Sequence, residues 1–167
     1  AFTLSSDSVH VDHLPNARKK KINSRSAHPK QKRRYPAILI GRLAVNEEFA
    51  DKGIGSEMLS AIKQFSTDPD NLADCRFLAV DAKNEEKPLH YYEKNDFRYL
   101  YSSEEQEAEN LDLPLPLKTR FMFFDLIDLK KSYLFHHSLT SIVPSLDGNK
   151  QTHNMGFRLI CHVDYLL

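Results

Sequence analysis

The stretch Ala37-Ile-Leu-Ile-Gly-Arg-Leu-Ala-Val45, followed by Ala50-Asp-Lys-Gly-Ile-Gly-Ser56, decides the fold of this 167-residue chain. The first part is apolar at nearly every position, which predicts a central strand buried on both faces. After the two glycines, a helix is predicted from Gly55 to Phe65, with a buried stripe formed by Met58, Leu59, Ile62 and Phe65. The sequence thus predicts a buried strand, a glycine loop and a helix in succession.

Such a loop is suited to an anion. Glycines let successive backbone N–H groups point the same way, and the N-terminus of the helix adds further donors. Lys52 adds a positive charge and Ser56 a hydroxyl group. The loop lacks the Gly-Lys-Ser/Thr of a P-loop and the full Gly-x-Gly-x-x-Gly of a dinucleotide fold. The context favours a phosphate site, with a plain turn as the alternative.

The rest of the chain predicts an α/β fold, a mixed sheet with a mostly parallel centre and flanking helices. A helix between consecutive strands implies parallel neighbours, and the last two strands are expected to form a hairpin. Loops are predicted from His13 to Arg34 and from Ser102 to Leu117. The other predicted elements are strands at Phe2 to Val11, Arg76 to Asp81, Phe97 to Tyr101 and Thr119 to Leu126, a helix at Asn84 to Lys94, and an unplaced strand at Gly156 to Leu166.

Charge is unevenly distributed, although 23 basic and 23 acidic residues balance over the whole chain. Residues 17–34 hold nine bases and no acid, and residues 102–117 hold five acids and no base. Nine cations in one segment suit a phosphate backbone, whose binding is driven by counterion release. A solvated loop is the alternative. The candidate nucleic-acid-binding residues are Lys19, Lys20, Lys21, Lys32, Arg33 and Arg34.

Composition argues against several classes of protein. No apolar run approaches the roughly 18 residues that a membrane helix needs, so no membrane contact is expected. Only two cysteines occur, Cys75 and Cys161, too few for a disulfide scaffold. The histidines and cysteines form no four-ligand set with metal-site spacing, so no metal is expected. With no signal peptide in the sequence, we expect a cytoplasmic protein.

Two motifs resemble those of the GNAT superfamily of acyl-CoA N-acyltransferases. Ile38 to Leu59 resembles the strand, the Gln/Arg-x-x-Gly-x-Gly/Ala loop and the helix of that family. Pro88-Leu-His-Tyr-Tyr-Glu-Lys-Asn-Asp-Phe97 is similar to its Ala-x-x-Phe-Tyr-x-x-x-Gly-Phe. The resemblance implies a GNAT-like domain over residues 1–130, without the family's usual first strand, two helices and second strand. Residues 131–167 would be an extension of unknown role.

The resemblance also implies a site. Acetyl-CoA would be the co-substrate, and its acetyl group would pass to a primary amine. Tyr92 matches the family's tyrosine beside the acetyl-CoA sulfur, where a phenol with a pKa of about 10 can protonate the leaving thiolate. The family splays its central strand from its neighbour, which frees backbone N–H groups for an oxyanion. The implied cofactor-binding residues are Leu43, Ala44, Val45, Ala50, Asp51, Lys52, Gly53, Ile54, Gly55 and Ser56.

A general base is harder to assign. Asp81, Asn84 and Glu85 lie near the end of a predicted strand, and none is singled out. An α-amino group, with a pKa of about 7.7 to 8.0, is partly neutral without help, whereas a lysine amine is almost wholly protonated. The absence of an evident base therefore favours an α-amine acceptor.

A closer resemblance is to the tRNA-acetylating toxins of bacterial toxin–antitoxin pairs. Phe2-Thr-Leu-Ser5 and Tyr35-Pro-Ala-Ile-Leu-Ile-Gly-Arg-Leu-Ala-Val45 carry it. It implies that the acceptor is the amino acid of an aminoacyl-tRNA and that a ribbon-helix-helix antitoxin is a partner, and it leaves a homodimer open.

Three residues depart from the GNAT pattern. Ala50 stands at the usual Gln/Arg, Asp51 brings a carboxylate near the expected pyrophosphate, and Asp96 replaces the glycine before Phe97. Asp tolerates left-handed backbone geometry better than most residues, so the turn at Asp96 can be kept. The changes at Ala50 and Asp51, together with the missing first elements of the family fold, support a second hypothesis, a catalytically inactive acyl-CoA-binding or nucleic-acid-binding module.

Overall fold

A computed structural model of the chain describes residues 1–25, 34–68 and 75–129. Over these residues it has five strands, four α-helices and a short 3-10 helix at Glu47–Phe49. The strands are β1 (Phe2–His10), β2 (Arg34–Leu43), β3 (Phe77–Lys83), β4 (Arg98–Tyr99) and β5 (Thr119–Asp125). The helices are α1 (Asn16–Asn23), α2 (Ile54–Thr67), α3 (Glu86–Lys94) and α4 (Glu104–Leu111). The predicted extension and the unplaced strand lie outside the described residues.

The strands form one mixed sheet in the order β1-β2-β3-β5-β4. β2 and β3 are parallel neighbours joined through α2, as predicted, and all the other pairs are antiparallel. β4 and β5 pair with each other, but α4 lies between them in the chain, so they are not a simple hairpin. Within the described ranges, no helix is long and apolar enough to cross a membrane.

Side chains alternate between the two faces of the sheet, and each face has its own apolar cluster. On the first face, Ile38 and Ile40 of β2 and Val80 and Ala82 of β3 pack with residues of α2 and α3. On the second face, residues of β2, β3 and β5 pack with the segment from Val11 to Ile22 and with Leu100 and Tyr101. The first face therefore carries the glycine loop and both helices of the two sequence motifs.

Both segments predicted as loops contain helices, so those predictions are wrong. α1 lies within the basic segment and buries only Ile22. Apart from Ala17, its other residues are polar, so no helical period is visible in the sequence. α4 lies within the acidic segment, where Ser103 caps the helix by accepting a hydrogen bond from the N–H of Gln106. Ser-x-x-Gln is a helix-start signal, and it was the clue that could have predicted α4.

The buried face of α2 also differs from the prediction. Leu59 and Ile62 are buried as expected, but Phe65 is 40% exposed. Lys63 is buried instead, and its ammonium lies 4.0 Å from the centre of the Phe124 ring and donates to the carbonyl of Asn95 at 2.7 Å. Burial lowers the pKa of Lys63, and Asp96 partly offsets this effect. Lys63 thus ties α2 to the turn that ends α3.

Helix α1 is held at the end of the sheet where β2 begins. The Arg18 guanidinium donates to the carbonyls of Tyr99 and Leu100. Arg76, at the start of β3, donates to the carbonyl of Ile22 at 2.8 Å. The Arg76 contact places the C-terminal end of α1 near the start of β2, at the opposite end of that strand from the glycine loop, whereas the Arg18 contacts tie the N-terminal part of α1 to β4.

Candidate active site

The two central strands separate before they end. β2 and β3 pair only at Ala37–Phe77, Ile38–Leu78 and Leu39–Ala79. β2 nevertheless continues to Leu43 and β3 to Lys83. The gap between these unpaired ends is called the wedge below. It is the splay that the resemblance predicts.

A β-bulge accompanies the separation. In the pairing of β1 with β2, Leu4 lies opposite Ile40 and Thr3 lies opposite Arg42, so Gly41 is an extra residue. Bulges bend the strand that carries them. A Cβ atom at Gly41 would lie 3.1 Å from the hydroxyl oxygen of Thr3, so glycine suits this close approach. The bulge in β2 adjoins the point where β2 leaves β3.

The backbone N–H of Leu43 points into the wedge. Ala44 exchanges two hydrogen bonds with Ala1, N–H to carbonyl at 2.8 Å and terminal amine to carbonyl at 2.7 Å. Ala44 therefore uses its N–H on the β1 side. Successive N–H groups of a strand point to opposite edges, so that of Leu43 faces the β3 side. Of the implied cofactor residues in this strand, Leu43 offers a donor to the wedge and Ala44 does not.

The loop after β2 presents further donors. Gly53 caps α2 with φ +81°, and Asp51 also has a left-handed backbone, with φ +58°. The first capping hydrogen bond of α2 runs from the N–H of Glu57 to the carbonyl of Gly53 at 3.1 Å. The N–H groups of Ile54, Gly55 and Ser56 precede it and have no intrahelical acceptor. Together with the helix dipole, they form a cradle that fits a phosphate group.

The side chains of the loop leave this cradle open. Ala50, Asp51 and Lys52 are all exposed. The ammonium of Lys52 lies 5.3 Å from the centre of the Phe49 ring, outside the cradle. A Cβ atom at Gly53 would meet nothing within 4 Å. The donors for an anion are therefore backbone groups of the first turn of α2.

Helix α3 packs against this first turn. A Cβ atom at Gly55 would lie 3.0 Å from the hydroxyl oxygen of Tyr91, which is itself buried without a hydrogen-bond partner among the described residues. Burial raises the pKa of Tyr91 to about 12, and the neighbouring Tyr92 adds to the shift. Tyr91 is thus partly buried, packs against the core cluster of the first face and contacts the first turn of α2.

Tyr92 is buried on the first face, in the cluster that contains Ile40, Val80 and Ala82. Its ring makes edge contacts with Tyr91 and Phe97, with centroids 5.1 and 5.4 Å away. Burial raises the pKa of Tyr92, so its phenol stays protonated at neutral pH. A proton donor needs that state.

The turn after α3 keeps the geometry that the family builds with glycine. Asp96 has φ +65°, a left-handed conformation. Its carboxylate lies 3.9 Å from the ammonium of Lys63. The departure at Asp96 therefore leaves the turn intact.

The basic candidates are not all free to bind. The ammonium of Lys19 donates to the carbonyl of Asp12 at 2.8 Å, whereas Lys20, Lys21 and Arg34 are exposed. Lys32 and Arg33 lie outside the described residues. In the part of the chain that the structure describes, no group of three or more His, Cys, Asp and Glu could hold a metal ion.

Comparisons with known proteins identify the fold. No protein-family model matches the sequence, and no curated protein matches it either. Solved structures, in contrast, match this chain. AtaT complexed with acetyl-methionyl-tRNAfMet is similar at 16% identity, with a TM-score of 0.55 over 79% of this chain and 65% of that one. The chain has the GNAT fold.

Two further structures share the GNAT fold. AtaTR bound with AcCoA matches at 18% identity and a TM-score of 0.51, over 79% of this chain and 64% of that one. A tyrosine-to-phenylalanine variant of KacT matches at 15% identity and a TM-score of 0.54, over 78% and 64%. The chain thus spans less than two thirds of each of these proteins.

Proposed function

We propose that this protein transfers an acetyl group from acetyl-CoA to the α-amino group of an aminoacyl-tRNA. The observation that carries the proposal is the wedge, because the two parallel strands stop pairing before the loop that leads into α2, so that backbone donors at the end of β2 are available to a thioester. AtaT, which has the same fold, is known in complex with acetyl-methionyl-tRNAfMet. AtaTR is known with AcCoA bound.

Different groups of residues would bind acetyl-CoA, stabilise the oxyanion and protonate the leaving group. Acetyl-CoA supplies the acetyl group as a thioester, and the N–H groups of Ile54, Gly55 and Ser56 would bind its pyrophosphate. The N–H of Leu43 would donate to the oxygen that becomes negative during attack, a contribution of about 3 to 4 kcal/mol in well-studied enzymes. Tyr92 would protonate the departing thiolate. Because the phosphate donors are backbone groups, the loss of Gln/Arg at Ala50 does not remove them.

The position of the basic residues favours a macromolecular acceptor. Arg34 and Leu43 are the two ends of a ten-residue strand, about 30 Å apart at about 3.3 Å per residue. Lys20 and Lys21 lie at the Arg34 end, with α1. A small amine cannot contact both the wedge and these cations, whereas a tRNA is long enough to do so. An antitoxin partner is an expectation that rests on the resemblance alone.

Binding and turnover test the proposal separately. At a hundredfold excess over its dissociation constant, acetyl-CoA should stabilise the protein by about 2.7 kcal/mol, measured by thermal unfolding. Release of CoA thiol should then depend on methionyl-tRNA and produce N-acetylmethionyl-tRNA, detected by acid gel. Stabilisation without thiol release would favour the inactive acyl-CoA-binding module. If acetyl-CoA neither stabilises the protein nor releases CoA thiol, both hypotheses for this site are refuted.

A further inference from the structure

The second face of the sheet is apolar in one half and polar in the other. Near the start of β2, it is covered by the segment from Val11 to Ile22. Beside the wedge, its residues are exposed to solvent in the described part of the chain. They are Thr3 and Ser5 of β1, Gly41 and Arg42 of β2, and Asp81 and Lys83 of β3, with Asp7 of β1 also exposed but opposite Ala37, in the paired part of β2.

The wedge lies between the buried cluster of the first face, which includes Ile40, Val80 and Ala82, and the exposed second face. The loop proposed for acetyl-CoA and the ring of Tyr92 belong to the first face. An acceptor amine therefore reaches the wedge from the second face. Asp81 is the first residue of β3 beyond the last β2–β3 pair, Leu39–Ala79, whose side chain points to that face.

No cation of the described residues pairs with Asp81 there, although Arg42 of β2 is exposed on the same face. Among the described residues Asp81 forms no salt bridge and no side-chain hydrogen bond. The residue opposite it on β5 is the uncharged Phe121. Lys83, on its own strand, pairs with Glu85 at 3.7 Å. The charged group that faces Asp81 from β1 is a second carboxylate, Asp7, which repels it.

From this placement we propose that Asp81 binds the ammonium group of the acceptor on the second face of the sheet and takes its first proton. The inference rests on the proposed acetyl transfer and adds to it the base that the sequence did not single out. A carboxylate that is not paired with a cation, at the rim of the wedge, offers an ammonium group both charge and hydrogen-bond acceptors.

The proposed step balances in protons and bonds. The ammonium gives one proton to Asp81, which passes it to solvent. The neutral amine then forms the C–N bond and the C–S bond breaks. The second proton lost by the nitrogen replaces the one that Tyr92 gives to the thiolate. The products are an amide, CoA thiol and one proton released to solvent.

The environment of Asp81 suits this role. Although Asp81 is exposed, its neighbours partly desolvate the carboxyl and raise its pKa above the ordinary value, and the charge of Asp7 raises it further. A higher pKa makes the carboxylate a better proton acceptor. An α-amino acceptor has a pKa of about 8, so a carboxylate with a moderately raised pKa is a sufficient base for it.

The test compares Asp81→Asn with Glu85→Gln, which removes an exposed carboxyl near the same end of β3. With methionyl-tRNA as acceptor, Asp81→Asn should lower kcat/KM about 10²- to 10⁴-fold. Its affinity for acetyl-CoA should be unchanged. Glu85→Gln should keep full turnover. Asp81→Asn should unfold at the same temperature as the parent or above it at neutral pH, because it removes a repelled charge.

A second variant tests the proton itself. Asp7→Asn removes the charge that raises the pKa of Asp81, so the acidic limb of kcat/KM should move to lower pH. A merely structural aspartate would change the rate without moving this limb. Equal turnover of Asp81→Asn and the parent, or an unmoved limb in Asp7→Asn, would overturn the inference while leaving acetyl transfer intact. An inactive parent would instead refute the proposed function, and the role of Asp81 with it.

Discussion

At the scale of single residues, the two tyrosines of α3 differ in what their hydroxyl groups do. The hydroxyl of Tyr91 is buried against Gly55 and has no hydrogen-bond partner within the described ranges, so Tyr91 contributes through its volume. Tyr92 packs among the apolar residues next to the wedge. Adjacent residues of one type thus serve as matched controls for each other.

Changing Tyr92 to Phe removes only the hydroxyl. If it protonates the leaving thiolate, turnover should fall about 10²- to 10⁴-fold, with nearly unchanged affinity for acetyl-CoA. Tyr91→Phe should keep its turnover, because its hydroxyl has no partner to lose. Thiol release measured for both variants separates the roles, and equal rates would return Tyr92 to a packing role.

The contact between Gly55 and Tyr91 predicts a coupled pair of substitutions. Gly55→Ala should destabilise the parent, because overpacking costs about 1 to 3 kcal/mol and exceeds the gain of about 0.5 to 1 kcal/mol from replacing a helical glycine. In a Tyr91→Phe background the Cβ has more room, and the loss should shrink or reverse. Urea unfolding of the four proteins gives the coupling free energy, which additive effects would make zero.

At the scale of elements, the glycine loop depends on backbone conformation rather than on space. Gly53 has φ +81°, and a Cβ there would touch nothing. Gly53→Val should therefore lose acetyl-CoA affinity because valine avoids left-handed geometry, whereas Gly53→Asn should retain most of it. Calorimetric titration with acetyl-CoA checks both variants. Unchanged affinity in the valine variant would mean that the loop does not hold the phosphates.

The sequence predicted the elements whose side chains follow a period and missed those held by polar contacts. The apolar runs in β2 and β5 were sufficient to predict both strands. α4 has a different basis: buried Glu107 accepts hydrogen bonds from Arg120 at 2.7 Å and from the N–H of Phe121 at 2.6 Å. The sequence of the acidic segment does not reveal these partners, because Arg120 and Phe121 lie on β5.

The same reason limited the prediction of the site. The glycine loop and Tyr92 belong to local motifs, so the sequence indicated them. The role proposed for Asp81 depends on where the β2–β3 pairing ends and on the charge of Asp7, which lies on β1. Neither feature is encoded near Asp81 in the chain.

At the scale of the whole molecule, the cations and the wedge lie at opposite ends of β2, and salt dependence can test whether one ligand uses both. Lys19 is engaged with Asp12, so Lys20 and Lys21 are the free pair on α1. Their replacement by Gln should reduce the log–log salt slope of tRNA binding by about 1.8, or about 0.9 per phosphate contact. Acetyl-CoA affinity should not change.

The matched control replaces Lys87 and Lys94 of α3, which are also exposed. It should leave the salt slope as it is. Filter binding across a range of salt concentrations measures all three proteins. Equal slopes for the parent and the α1 variant would make α1 a solvated helix and favour a small or peptide acceptor.

Because of the bulge at Gly41, β2 is one residue longer than a strand paired regularly with β1 would be. Gly41 and Arg42 both fall on the second face, so a chain without Gly41 would keep every other side chain of β2 on its present side. We expect that shorter strand to run straight, continue its ladder with β3 and fold at least as well. It would also have no opening for a substrate. Under the proposed function, the most regular version of this sheet would therefore be inactive, and it would differ from the present one by a single glycine.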